Sequence, residues 1–213
     1  IRDWSRIEPV NKGWSEDRKY RVMTGDGETL LLRLTDAHQY EAKKKEYEII
    51  RKYASLGFPM SQPLSFGMTA DGFQIYTILS WVEGRDLEVV LPELSEEKQY
   101  QLGREAGIIL KKIHSLKLDP EDAPKTTKKE KKLLQLSQYE QSDVRINEDE
   151  TTIQYVRDNI DLIWQEPPVY LHGDYHPGNL IYMPEAKIGV IDFNRWEVGD
   201  PFEEFYKLES FGR

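Results

Sequence analysis

Between residues 172 and 192 the chain gathers the groups that phosphoryl transfer requires. His172-Gly173-Asp174-Tyr175-His176-Pro177-Gly178-Asn179 sets an aspartate and an asparagine five positions apart, just after the apolar run Val169 to Leu171. Two more strand-like runs follow, Leu180 to Met183 and Ile188 to Ile191, across a turn at Pro184-Glu185-Ala186. That hairpin returns Asp192-Phe193-Asn194 to the neighbourhood of the first loop. In phosphoryl transfer the protein supplies positioning and charge rather than covalent chemistry. A carboxylate must orient the attacking hydroxyl and accept its proton. Oxygen ligands must hold Mg²⁺ against the phosphates. Asp174 suits the first task, and Asn179 and Asp192 suit the second.

A different chemistry uses the same letters. His172, Asp174 and His176 alternate, so on an extended strand they would share a face and bind the metal of a hydrolase. Pro177-Gly178 breaks such a strand, and no other histidine-rich site is near. The two histidines therefore read as packing and loop-lining residues.

The elements that must position these groups fall into two parts. Tyr20 to Met23 and Thr29 to Leu34 read as strands around the turn Thr24-Gly25-Asp26-Gly27. A helical pattern covers Ala42 to Tyr53 and stops at Gly57 and Pro59. Leu64 to Met68 and Phe73 to Leu79 are again strand-like, joined by Thr69-Ala70-Asp71-Gly72. Beyond residues 80–84 the texture turns helical. Ser95 is an expected N-cap, and Leu102, Ala106, Ile109, Leu110 and Ile113 form a stripe at helical spacing. Further helices are expected over Glu130 to Gln141 and Glu148 to Trp164. The reading is an α+β chain: residues 1–80 a sheet-and-helix lobe, 81–84 a hinge, and 85–213 a mainly helical lobe.

The 213 residues carry a formal net charge of -9 and no cysteine. Disulfides, thiolate metal sites and cysteine nucleophiles are thereby excluded. The acidic balance argues against nucleic acid or an anionic membrane as partner, and it is compatible with a cationic small molecule. No apolar run reaches the ~18 residues of a spanning helix, and a cytoplasmic location is expected. The basic run at Lys125, Lys128, Lys129, Lys131 and Lys132 reads as a solvated surface.

The segment from His172 to Asp192 resembles the aminoglycoside phosphotransferase and choline kinase-like family, whose pattern is His-Gly-Asp-x-His-x-x-Asn, a hairpin, then Ile-Asp-Phe. Gly199-Asp200-Pro201 is similar to the family's downstream Gly-Asp-Pro. The resemblance implies a two-lobed protein-kinase-like fold, with an N-terminal antiparallel sheet, one helix and a mainly helical C-terminal lobe. It also implies Mg²⁺ and a nucleoside triphosphate, ATP or GTP. Gly13-Trp14-Ser15 resembles the turn that covers the phosphates, so Gly13 and Ser15 are carried over as nucleotide contacts. Arg33 stands where family members have a phosphate-binding lysine, with Glu46 as its partner on the helix. Arginine keeps the charge and can bridge phosphate oxygens, with a bulkier and different geometry.

Trp81 and Val82 look like the linker whose backbone holds the nucleotide base. The family usually continues into helices beyond Gly-Asp-Pro, so a chain end at Arg213 implies a truncated or unusual substrate side. The implied acceptor is a small molecule bearing a hydroxyl, first an aminoglycoside. Macrolides, choline, homoserine and sugar derivatives are the alternatives, and a nucleotide-binding pseudokinase is a third reading.

Overall fold

The computed structural model describes residues 4–11, 17–163 and 166–211. The first part is a five-stranded antiparallel sheet in the order β1-β2-β3-β5-β4. Its strands are β1 (Trp4–Val10), β2 (Arg18–Thr24), β3 (Thr29–Asp36), β4 (Pro63–Met68) and β5 (Gln74–Ser80). One helix, α1 (Tyr40–Ala54), crosses between β3 and β4. The edge strand β1 escaped the sequence reading because its apolar residues Trp4, Ile7, Pro9 and Val10 do not alternate, and none of its residues is buried.

Helix α1 buries Glu46, Ile49, Ile50 and Tyr53. Tyr47 lies off that face and stacks on Phe66 of β4, with ring centroids 5.4 Å apart. Ile49, Ile50 and Tyr53 join Phe58, Met60 and Leu79 in a core that continues without a break into the second part. There it includes Leu110 and Ile113 of α3 (Glu96–His114), together with Tyr170, Ile188 and Phe193. Ser95 caps α3 by accepting the Lys98 N–H. Val22, Leu30 and Leu32 form a smaller cluster within the sheet.

After β5 the chain passes Trp81 and Gly84 into β6 (Arg85–Asp86) and the short helix α2 (Leu87–Val90). Gly84 has φ +150°, and a Cβ there would overlap the Tyr182 carbonyl, so the connection requires glycine. The helix α4 (Lys128–Glu140) opens on a Thr127–Glu130 capping box and fully buries no residue; Lys125, Lys131 and Lys132 of the basic run are exposed, while Lys128 pairs with Glu203 and Lys129 with Asp161. Helix α5 (Glu150–Asn159) passes into a 3₁₀ turn, Ile160–Leu162, and the expected end at Trp164 lies outside the described residues. Asn159 Nδ2 donates to the Tyr155 carbonyl at 2.8 Å, a side-chain bond of the kind that competes with helix continuation.

Four short strands then frame the loops of interest. β7 (Val169–Leu171) pairs with β10 (Glu197–Gly199), and β8 (Leu180–Met183) pairs with both β6 and β9 (Lys187–Val190). A 3₁₀ turn, Pro201–Glu204, leads into α6 (Phe205–Phe211). The Val190 N–H donates to the Pro59 carbonyl at 3.0 Å, tying the first part to the strand that precedes Asp192. No helix among the described residues is long and apolar enough to cross a membrane.

Candidate active site

The β8–β9 hairpin brings Asp192 back to the 172–179 loop, where the Ile191 N–H donates to the Asn179 carbonyl at 3.1 Å. Asp174, Asn179 and Asp192 all line one cleft of about 750 Å³ between the sheet and the helical part. Leu31, Leu79, Ile181 and Ile191 form apolar walls, and Trp81 and Val82 lie at its edge.

The loop is held from beneath. His172 is fully buried; its Nε2 bonds the Ile191 carbonyl at 3.0 Å and its Nδ1 accepts the Asp174 N–H at 3.2 Å. This arrangement requires a neutral ring, and burial pushes its pKa down to about 4. The metal-site alternative fails on the same geometry, because His172 is turned inward. Among the described residues no group of three or more His, Asp or Glu converges on a metal position. Gly173 takes φ +77°, and a Cβ there would overlap the Arg195 carbonyl oxygen.

The Asp174 carboxylate is bound at both oxygens. Oδ1 accepts from Lys207 Nζ at 2.6 Å and Oδ2 from Asn179 Nδ2 at 3.1 Å. Burial pushes its carboxyl up, but the hydrogen bond and charge of Lys207, with His176 and Arg195 behind them, hold it below the ordinary carboxylate range. Because Asn179 Nδ2 also donates to the Asp174 carbonyl at 2.9 Å, the amide is oriented with Oδ1 as its remaining ligand atom. Asp192 adopts the left-handed conformation, φ 63° and ψ 60°, which is costly for a non-glycine residue and recurs at functional sites. An amide oxygen and a carboxylate are hard ligands of the kind Mg²⁺ takes beside phosphate oxygens.

The opposite wall carries the cations. Lys19 on β2 pairs directly across from Arg33 on β3. Like charges in that register repel unless anions answer them. Arg33 is buried, with Nη1 donating to Glu46 Oε1 at 2.8 Å and Nη2 bonded to Asp17. Lys43 Nζ reaches both carboxylates at 2.9 Å, which completes a neutral group of two cations and two anions. Burial pushes the Asp17 carboxyl up, but Arg33 and Lys43 outweigh it and hold the carboxyl low. Lys19 reaches instead into the cleft, its Nζ 3.2 Å from Asp192 Oδ2.

Of the residues singled out in the sequence, Arg33, Trp81, Val82, Asp174, Asn179 and Asp192 therefore share the cleft, with Glu46 behind Arg33. Gly13 and Ser15 lie outside the described residues. The sequence reading missed Lys19, Lys207 and the carboxylates Asp86 and Glu88, all of which line the same cleft. The turn closes with the Thr24 N–H on the Glu28 carbonyl and Gly27 as an extra residue, which sets Lys19 against Arg33; counting from Thr24–Gly27 in the sequence falls one residue short.

Glu204 was also missed, and it has a measurable consequence. Its Oε1 accepts the Gly173 N–H at 2.7 Å, while Oε2 is buried without a hydrogen-bond partner among the described residues. Burial pushes its carboxyl from the ordinary 4.5 up to about 7, and the Gly173 N–H offsets only part of that. An acid whose folded pKa is raised keeps a proton that the unfolded chain has already released. The stability this gives is complete below pH 4.5 and is lost as pH rises toward 7, by up to about 3 kcal/mol. Glu204→Gln cannot ionise, so relative to wild type it gains stability between pH 5 and pH 8 by about that amount. Urea unfolding at the two pH values measures the difference; parallel pH dependences would show that Glu204 is not shifted.

A two-lobed kinase-like architecture, with carboxylates and an amide facing cations across the interlobe cleft, defines the class: a phosphotransferase acting on hydroxyl groups. The family model described as the phosphotransferase enzyme family, APH, matches residues 6–212, and the chain belongs to that family. No curated protein matches its sequence. Among solved structures, the gentamicin complex of APH(2")-IIa is similar over 96% of this chain and 70% of that one, at 20% identity and TM-score 0.72. The GDP complex of aminoglycoside 2'-phosphotransferase-IIIa is similar over 99% and 73%, at 18% identity and TM-score 0.72. APH(3")-Id from Streptomyces rimosus is similar over 97% and 77%, at 18% identity and TM-score 0.63. These likenesses show a shared fold.

Proposed function

We propose that this protein transfers the terminal phosphoryl group of ATP or GTP to a hydroxyl of a cationic small molecule, an aminoglycoside first among the candidates. The observation that supports it most is the placement of Asp174, Asn179 and Asp192 in one cleft opposite Lys19 and Arg33. The apolar walls suit a purine, with the backbone of Trp81 and Val82 bonding its edge across the 81–84 hinge. Asn179 and Asp192 would hold Mg²⁺, which when bound neutralises charge on the phosphate oxygens. Asp174 orients the acceptor hydroxyl and takes its proton as the oxygen attacks in line. Arg33 lines the same wall, fixed by Glu46 and Asp17, so its charge reaches the phosphates already balanced. Asp86 and Glu88 put two carboxylates in the cleft, a surface suited to an amino-bearing acceptor.

The acceptor is tested by following label from γ-labelled ATP and GTP, with Mg²⁺, into a panel of aminoglycosides and small alcohols. Transfer to an aminoglycoside supports the full reading. Transfer only to another alcohol keeps the reaction and discards the acceptor. Nucleotide binding with no transfer to any acceptor, or to water, favours a pseudokinase.

Lys19 is the cation best placed to meet the donor, because it ends in the cleft beside Asp192 and is not locked between buried carboxylates. Lys19→Met is expected to raise the KM for nucleotide about 10-fold, the loss of one charge-assisted bond of roughly 1.5 kcal/mol. The acceptor KM should stay within about 2-fold. Initial rates at varied nucleotide and fixed acceptor check this, and an unchanged nucleotide KM would remove Lys19 from the donor site.

A further inference from the structure

Lys207 lies outside every motif in the sequence, yet it touches the centre of the site. It is only 6% exposed, it lines the cleft, and it is rooted on α6, far along the chain from the 172–179 loop. Its Nζ donates to the Gly173 carbonyl and to Asp174 Oδ1, both at 2.6 Å. Glu204, one helical turn earlier, accepts the N–H of the same Gly173. The backbone at Gly173 is thus gripped from both sides, and Glu204 alone already fixes its N–H.

The bond to Asp174 is an additional feature that anchoring the backbone does not need. A carboxylate on a loop can rotate about χ2, and an ammonium on Oδ1 with an amide on Oδ2 fixes its plane. Orientation of that kind is worth much in transfer reactions, where a misplacement of about 1 Å costs roughly 10²-fold in rate.

We propose that Lys207 is a positioning residue for the phosphoryl transfer, locking the Asp174 carboxylate so that it meets the acceptor hydroxyl in line with the phosphorus. The inference rests on the phosphotransferase reading above. In the step itself the acceptor O–P bond forms as the bond from phosphorus to the nucleoside diphosphate oxygen breaks. The hydroxyl proton passes to Asp174, and Lys207 neither gains nor loses a proton. The competing account is a structural ion pair that merely docks α6. It predicts a loss of stability from Lys207 variants with turnover intact in whatever remains folded.

The absence of cysteine from the chain gives a clean test. Lys207→Cys introduces a single thiol, which 2-bromoethylamine converts to a lysine-like aminoethyl side chain and bromoethane to a neutral one of similar shape. The readouts are kcat and KM with γ-labelled ATP and GTP, using kanamycin, gentamicin and water as acceptors, together with thermal midpoint and Mg-nucleotide affinity. Lys207→Cys should lower kcat about 10²-fold, with nucleotide affinity within about 3-fold. Aminoethylation should restore most of that loss, and ethylation should not.

Lys207→Arg, which keeps the charge on a longer fork, should retain more activity than Lys207→Cys and serves as the second variant should the thiol form fail to fold. Wild-type turnover with an unchanged kcat in Lys207→Cys, or equal recovery by ethylation and aminoethylation, would overturn this inference alone. A wild-type chain that consumes no nucleotide would overturn the phosphotransferase reading and the inference with it.

Discussion

Asp174→Ala is expected to lower kcat by at least ~10²-fold, the lower end for a positioned general base. Nucleotide affinity should hold within a few-fold, because the groups proposed to face the metal and phosphates, Asn179, Asp192 and Lys19, remain. Asp174 stands at a junction of three contacts in the loop: Lys207 on one oxygen, Asn179 on the other, and its own N–H on His172. Its carboxyl, held low mainly by Lys207 against the effect of burial, is ionised at neutral pH and ready to accept a proton. Asp174→Asn separates charge from shape, since the amide fills the same volume but cannot take the proton. Both variants should fall by similar factors in steady-state transfer assays, while a chain that merely needs a hydrogen-bonding group at this position would tolerate asparagine.

Arg33→Met is expected to cost about 3–5 kcal/mol of folding stability, the range for breaking a buried ion pair on one side. Arg33 is 3% exposed and answers both Asp17 and Glu46, which are themselves buried. Lys43 would be left as one cation for two carboxylates. Lys43 also touches both, so the surviving charge is shared and the loss is expected at the lower end of the range. Arg33→Lys keeps the charge but lacks the planar fork that bridges two carboxylates at once, so an intermediate loss is expected. Adding Asp17→Asn to Arg33→Met should recover part of the loss. Denaturant unfolding of the single and double variants reads these values; a loss in Arg33→Met below about 1 kcal/mol would place it in the range of a surface pair.

The 172–192 segment was legible because its pattern is local. Asp174 and Asn179 are five residues apart, and one hairpin with an unambiguous turn returns Asp192 to them. The central strands were legible from alternation, and α3 from Ser95 and a regular stripe. The groups that complete the site were not, because each arrives from a distant element on the strength of tertiary packing. Asp17 precedes β2 and meets Glu46 of α1 only through the two cations Arg33 and Lys43. Lys207 and Glu204 follow Asp200-Pro201, where the sequence offers an acid and a base three positions apart and nothing that points to Gly173. Asp86 and Glu88 sit in a stretch too short to show a period. The passage of α5 into the 3₁₀ turn Ile160–Leu162 is a change that no apolar pattern encodes. Arg33 was visible as a charge on an apolar strand, and a single charge there already implied a buried carboxylate; that there were two, and a second cation, required the structure.

The central claim is that one cleft holds the nucleotide, the metal and the proton acceptor. A diffraction structure of the chain grown with Mg²⁺ and a non-hydrolysable nucleoside triphosphate analogue tests it most directly. The account predicts the metal on the Asn179 amide oxygen and the Asp192 carboxylate, Lys19 turned from Asp192 to the phosphates, and the terminal phosphate facing Asp174. A nucleotide bound outside this cleft, or a metal ligated by Asp174 in place of Asn179, would contradict it.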